Sequence, residues 1–167
     1  MLIRKATPAD AQAIAAIILP IIRDGSTYSL DPNLSEVDAL AYWMGADKET
    51  FVADDLGTIV GTYYMRPNQA GRGRHVCNCG YMTSPAAAGR EVASLMCEHS
   101  LSHARARRYQ AMQFNFVVST NEGAIRLWQR MGFETVGRLP GAFRHPSKGF
   151  VDALVMFQTL SPNENGT

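Results

Sequence analysis

The chain has 167 residues, enough for one ordinary domain with a core of its own. With 46% hydrophobic and 19% charged residues it has the composition of a folded globular protein, which excludes general disorder. A net charge of +1 gives no broad electrostatic case for nucleic acid or an anionic membrane as a partner. Met1-Leu-Ile-Arg-Lys-Ala-Thr lacks the charged leader and apolar run of a signal peptide, and no apolar segment is long enough to span a bilayer. Cys77, Cys79 and Cys97 are too few and odd in number for a disulfide framework, so a reduced cytoplasmic protein is expected.

Leu2 to Ala6 reads as a short first strand. Thr7-Pro8-Ala9-Asp10 is an N-cap signal with proline at the first helical position. Ile14, Ile17, Ile18 and Ile21 then form a helical stripe, and Pro20 is expected to kink or end it. Gly25 to Asn33 is a loop by composition, and a second helix opens at Ser35. Phe51-Val-Ala-Asp-Asp and Thr58 to Met65 flank Leu56-Gly57 as a hairpin. A polar turn from Pro67 leads to a strand over His75 to Thr83, and a long helix is expected from Gly89 to Tyr109. Gln113 to Phe133 reads as a buried strand, a capped amphipathic helix stopped at Gly132, and the start of a new strand. Phe150 to Phe157 is the last strand, and residues 161–167 are a polar tail expected to be disordered. The order β, α, α, three strands, α, β, α, β, β gives an α/β fold with helices on the faces of a mixed sheet, in one domain over residues 1–160.

Four groups of residues could carry chemistry. Asn115 and Asn121 are expected at a strand end and a helix mouth, where open α/β sheets bind ligands. Asn78 and Asn115 interrupt apolar strands, where an unsatisfied amide costs about 1–3 kcal/mol. Each is read either as a core asparagine bonded to a strand edge or water, or as a group facing a ligand. Ser84 to Ala93 joins a strand to a helix. It reads as a plain turn or as an anion site at a helix N-terminus, with pyrophosphate the obvious candidate. His75-x-Cys77-x-Cys79 lacks a local fourth ligand, and His99 with His103, at i, i+4 spacing, reads as one face of a helix, so no metal is expected.

Asn121-Glu-Gly-Ala124-Ile-Arg-Leu-Trp128-Gln-Arg-Met-Gly132-Phe133 resembles the Asn-x-x-Ala-x-x-x-Tyr-x-x-x-Gly-Phe pattern of the GNAT superfamily of acyl-CoA-dependent N-acyltransferases. The resemblance extends over most of the chain. Asn78, Asn115 and Asn121, with Leu139 to Pro146, look like the subgroup typified by fungal N-acetyltransferases of proline analogues. It implies a GNAT fold, with a mixed, mostly antiparallel central sheet, splayed central strands and helices on both faces. It also implies transfer of acetyl from acetyl-CoA to a small amine, an amino acid or analogue, by direct attack in a ternary complex. No metal is implied, and a homodimer is the assembly it allows.

Carried over by position, Asn121 and Trp128 would meet the cofactor arm, and the main chain of Met82 and Thr83 would pair with pantetheine. Ala88, Gly89, Arg90, Glu91, Val92 and Ala93 would face the pyrophosphate. Asn78, Asn115 and the N–H groups near Met82 would orient the substrate or hold the oxyanion. Thr27 and Tyr28 from one loop, and Phe143, Arg144 and His145 from another, would contact the substrate, with Arg144 gripping a carboxylate.

Two departures from the family pattern stand out. Ala86 and Glu91 occupy loop positions where Gln/Arg and Gly/Ala are usual, and Trp128 replaces a tyrosine that often protonates the leaving thiolate. Indole cannot serve as that acid. Glu91 and Trp128 would equally suit a non-catalytic binding module that no longer holds CoA.

Overall fold

The computed structural model describes residues 1–89 and 91–160; the expected tail at 161–167 lies outside them. Seven strands form one sheet: β1 (Leu2–Lys5), β2 (Glu49–Asp55), β3 (Thr58–Pro67), β4 (Val76–Thr83), β5 (Ala111–Val118), β6 (Glu134–His145) and β7 (Gly149–Thr159). Their spatial order is β1-β2-β3-β4-β5-β7-β6. Every neighbouring pair is antiparallel except β4 with β5. That parallel pair is joined by α3 (Val92–Ala106), the crossover such a connection requires.

The remaining helices are α1 (Ala11–Asp24), α2 (Glu36–Trp43) and α4 (Glu122–Arg130). A short 3₁₀ turn, Pro8–Asp10, precedes α1, and the Thr7 N–H donates to Asp10 Oδ2 at 2.8 Å. Helix α1 does not end at Pro20 but runs on to Asp24. Pro20 and Ala16, whose carbonyl loses its partner, are both exposed, so water can satisfy that carbonyl. It stops at Gly25, which has a left-handed φ of 70°. Helix α3 begins three residues later than expected, because Gly89 and Glu91 both take positive φ and keep the chain out of the helix. Leu56 and Gly57, with φ of 54° and 94°, make the expected hairpin turn between β2 and β3.

Side-chain alternation on the central strands divides the core in two. Tyr63, Met65, Cys77, Cys79, Met112 and Phe114 face one way and pack with Met96, Cys97 and Trp128 of α3 and α4. Val52, Tyr64 and Met82 face the other way and pack with Ile14, Ile18, Ala39 and Trp43 of α1 and α2. The sheet is thus covered on both faces by apolar stripes, and both layers can bury their backbone polar groups in ladders.

Candidate active site

The site arises where the sheet comes apart. β4 pairs with β3 over seven residues, Gly61↔Thr83 to Pro67↔Cys77, but with β5 at two positions, Val76↔Ala111 and Cys77↔Met112. Beyond Cys77 the two parallel strands diverge. Asn78 and Asn115 therefore sit at the mouth of a split inside the sheet, not at the strand ends expected from the sequence. Asn115 lies in the irregular stretch of β5 between Phe114 and Val117, where the register with β7 shifts.

Main-chain alternation fixes what β4 offers to the gap. The His75 carbonyl accepts from Gln110 N–H on the β5 side, whereas the Val76 carbonyl and Ser84 N–H bond on the β3 side. Even residues of β4 therefore spend their main-chain groups on β3, and Cys79, Tyr81 and Thr83 turn theirs toward the gap. Met82 itself pairs with Thr62, and its side chain is buried among α1 and α2. The free strand edge expected at Met82 and Thr83 thus belongs to Tyr81 and Thr83. At Tyr81 the edge is occupied by a phenol: Tyr81 N–H donates to Tyr28 Oη at 2.8 Å, and the Tyr28 hydroxyl donates to the Tyr81 carbonyl at 2.9 Å.

A cavity of about 890 Å³ fills the split and opens toward both layers of helices. On the α3–α4 side its wall is aromatic and small: Phe114, Trp128, Ala93, Ala124 and the main chain of Tyr81. Trp128 lies 4.9 Å from the rings of both Tyr81 and Phe114, so it packs the wall. Asn121 stands at the N-cap position of α4 without a side-chain capping bond, and it lines the cavity. On the α1–α2 side the wall is polar. Asn78 Nδ2 donates to the Gln113 carbonyl at 2.9 Å and bridges the mouth of the split. Asn115 accepts from Gln113 Nε2 at 2.9 Å and donates to Asn68 Oδ1 at 2.7 Å. Arg66 Nε donates to Asn78 Oδ1 at 3.4 Å. Each of these two asparagines is bonded to protein partners, and each lines the cavity.

The other expected residues separate into three groups. Thr27, Tyr28, Met82, Thr83 and Ala93 line the cavity. Ala88, Gly89 and Glu91 lie exposed in the turn before α3, and Val92 is buried in the core; Arg90 is outside the described residues. Glu91 has φ 59°, a left-handed conformation that glycine adopts more easily. Phe143, Arg144 and His145 do not line the cavity, because Leu139 to His145 is not a loop. It continues β6 opposite β7, through a bulge that Asp152 holds by accepting the Gly141 N–H at 2.9 Å. Phe143 packs behind Phe116, their ring centroids 6.1 Å apart; Arg144 is exposed; His145 Nδ1 accepts the Lys148 N–H at 3.2 Å and caps the β6–β7 turn.

Sequence reasoning missed Arg66, Asn68, Gln113 and Tyr64. The run Arg66-Pro67-Asn68 was a visible signal, since a charge closes an otherwise apolar strand there. Among the cavity's described residues the ionisable side chains are Asp24, Arg66, four tyrosines and Cys79. Burial pushes the Tyr28, Tyr64 and Tyr81 phenols and the Cys79 thiol upward, so they stay protonated at neutral pH. Histidines 99 and 103 lie elsewhere, on the α3 face against β2 and β3: His99 Nδ1 bonds Tyr63 Oη at 2.7 Å, and His103 Nε2 meets Glu49 Oε2 at 3.0 Å. That acid was invisible in the local sequence. No cluster of three or more His, Cys, Asp or Glu suited to a metal occurs among the described residues.

Residues 20–133 match the model of the Acetyltransferase (GNAT) family. The chain belongs to this family. With the family come the expected enzyme class, an N-acetyltransferase, and its co-substrate, acetyl-CoA. The chain is 29% identical over 151 residues to the N-acetyltransferase aca1 of Schizosaccharomyces pombe, covering 80% of this chain and 72% of that protein, in line with the expected fungal likeness. A GCN5-related N-acetyltransferase from Kribbella flavida superposes with a TM-score of 0.91 at 39% identity, covering 95% of this chain and 97% of that one. In fold alone, the chain is also similar to yncA of Salmonella typhimurium, solved with acetyl-CoA: TM-score 0.85, 20% identity, 97% and 95% coverage. No helix among the described residues is long and apolar enough to cross a membrane.

Proposed function

We propose that this GNAT acetyltransferase acts on the amine of a small molecule, an amino acid or analogue, by direct attack on the thioester in a ternary complex. The observation that carries the reading is the split between β4 and β5: one cavity reached from two faces, apolar on one and polar on the other. The α3–α4 side suits the pantetheine arm, with Asn121 and Trp128 beside it. The edge of β4 that faces the gap, at Thr83 and, with the Tyr28 hydroxyl displaced, at Tyr81, suits the amide groups of that arm, as an added strand would. The polar side, with Asn78, Asn115, Thr27 and Tyr28, suits the acceptor. Three free, buried cysteines agree with a reducing cytoplasmic setting.

Chemically, the cavity asks little of a base. An α-amine beside an amide has a pKa of about 8, and that of a free amino acid is higher, so the neutral fraction that attacks is a minor one replenished by proton exchange with water. The nucleophile's remaining proton can leave through water along the open polar face. The oxyanion of the tetrahedral intermediate needs a fixed donor. The Tyr81 N–H fits that need once the Tyr28 hydroxyl moves aside, because a preorganised N–H costs no reorganisation during the step. Asn115, clamped between Gln113 and Asn68, would orient the acceptor.

Two measurements test the reading. Acetyl-CoA should raise the melting temperature of the natural protein, since a ligand that binds only the folded state stabilises it. A shift seen for Glu91→Gly but absent from the natural chain would instead favour a binding module with an impaired pyrophosphate turn. Thiol release from acetyl-CoA should then depend on added small amines, and a panel without any responsive amine would end the acceptor proposal.

A further inference from the structure

We infer that Arg66, on β3, is the group that selects the acceptor: its guanidinium receives the carboxylate of a free amino acid whose amine is acetylated. This rests on the small-amine reading above and specifies its substrate class. The sequence suggested Arg144 for such a contact, but Arg144 is exposed on β6, outside the cavity.

Two charged side chains line the cavity among the described residues, Asp24 and Arg66. Asp24, exposed at the end of α1, already accepts from the Ser26 hydroxyl and the Ser26 N–H. Arg66 is half-buried and far less engaged. Among the described residues its one hydrogen bond is the long contact from Nε to Asn78 Oδ1, and no carboxylate of theirs lies within ion-pair distance of it. Asp47, the acid whose ionisation Arg66 favours at longer range, is bonded to Lys48 at 3.2 Å. A guanidinium has five N–H donors in a planar fork, so most of this one remains available to a ligand.

Its placement is imposed. Asn78 gives its Nδ2 to the Gln113 carbonyl, which obliges its Oδ1 to face Arg66. Arg66 pairs across the ladder with Asn78, and Tyr63 pairs with Tyr81, three residues further on. At about 3.3 Å per residue the anchor and the Tyr81 N–H, which the Tyr28 hydroxyl covers here, are about 10 Å apart along the strands. An arginine side chain and one amino acid fill that interval: the carboxylate rests on the fork and the amine points toward the thioester. A peptide or protein N-terminus, with its carboxylate many residues away, would leave the fork unpaired.

The test uses matched probes, the common free amino acids and their carboxamides, with thiol release measured at saturating acetyl-CoA. The natural enzyme should prefer acids to amides. Arg66→Met should raise KM for the acids roughly 10- to 100-fold, the range for losing a charge-assisted hydrogen bond. Its KM for acetyl-CoA should stay unchanged, its turnover of amides should fall far less than its turnover of acids, and Arg66→Lys should recover part of the loss. Equal turnover of acids and amides by the natural enzyme overturns the inference while leaving the small-amine reading intact. So does an Arg66→Met variant that loses both classes alike, since Arg66 would then merely brace Asn78. A natural enzyme that acetylates neither class overturns both. If Arg66→Met does not fold, the acid-to-amide preference of the natural enzyme and the Arg66→Lys variant decide.

Discussion

The two faces of the split sheet solve different problems with the same strands. Toward α3 and α4, the residues flanking the gap are rings and small side chains: Phe114 and Trp128 each meet Tyr81, Phe133 and one another with ring centroids 4.2 to 6.4 Å apart. Toward α1 and α2, at the alternate positions of the strands, they are amides and a guanidinium: Arg66, Asn78, Gln113 and Asn115. An apolar wall holds its shape through burial and suits the long arm of a cofactor. A polar wall keeps its shape only if its amides are mutually bonded, and the contacts then leave few geometries for a small acceptor. The difference teaches that alternation along a strand can furnish two chemistries to one cavity.

Substitutions on each face can break or sharpen that contrast. The largest effect is expected for Trp128→Ala. Removing a large buried ring costs about 3–5 kcal/mol of stability, and the loss should appear in denaturant unfolding together with weakened acetyl-CoA binding. Were acceptor KM to change instead, the assignment of faces would be reversed. Next is Asn115→Ala, expected to lower kcat by about 100-fold, the scale of losing one preorganised polar group, with acetyl-CoA affinity nearly intact. Parallel loss of both, or of neither, would remove Asn115 from the chemistry.

Two glycines offer a smaller, paired test. A Cβ on Gly80 would lie 2.5 Å from the Tyr64 ring on the acceptor face. On Gly61 it would lie 2.8 Å from Val92 and 2.9 Å from the Met96 methyl, on the α3 face. Gly80→Ala should cost about 1–3 kcal/mol by overpacking and disturb acceptor KM. Gly61→Ala should cost a similar amount, because the buried and β-branched Val92 cannot swing away even where Met96 can, and should affect acetyl-CoA binding alone; steady-state kinetics with each substrate varied separate the two.

The smallest effect lies away from both faces. Hydrogen bonds from Arg4 hold the Asp10 carboxylate down at about 2, from an ordinary 3.8. A depressed carboxylate stabilises the fold above its unfolded pKa, and this contribution fades as pH falls from about 4 to about 2. Denaturant midpoints measured across that window should decline for the natural chain, and Asp10→Asn should flatten the decline while leaving the acid–amide preference untouched.

Much of the fold was legible because its signals are local. The isoleucine stripe of α1, the Leu56-Gly57 turn and the Asn121–Phe133 pattern each specify a conformation within a few residues. The element order then follows, and with it the family. Gly141 to His145 misled for an equally physical reason: glycine and proline nearby suggest a loop, yet Asp152 on the neighbouring strand takes the Gly141 N–H and turns the segment into a bulged strand. In the turn before α3 the Val92 side chain is drawn into the core by β3, so any contact of this residue with a pyrophosphate would come from its main chain.

For the site, the sequence by itself determined which polar residues interrupt apolar strands, and Asn78, Asn115 and Asn121 all line the cavity. Only the tertiary structure decided that β4 and β5 part after Cys77, that the main chain of Tyr81 turns toward the gap and meets the Tyr28 hydroxyl there, and that Arg66 borders the cavity while Arg144 does not. Hydrophobic periodicity encodes which face a side chain takes, because burial is a property of each residue and its near neighbours. The width of a gap between strands depends on the packing of α3, α4 and the α1–α2 loop against them, and those contacts join residues tens of positions apart.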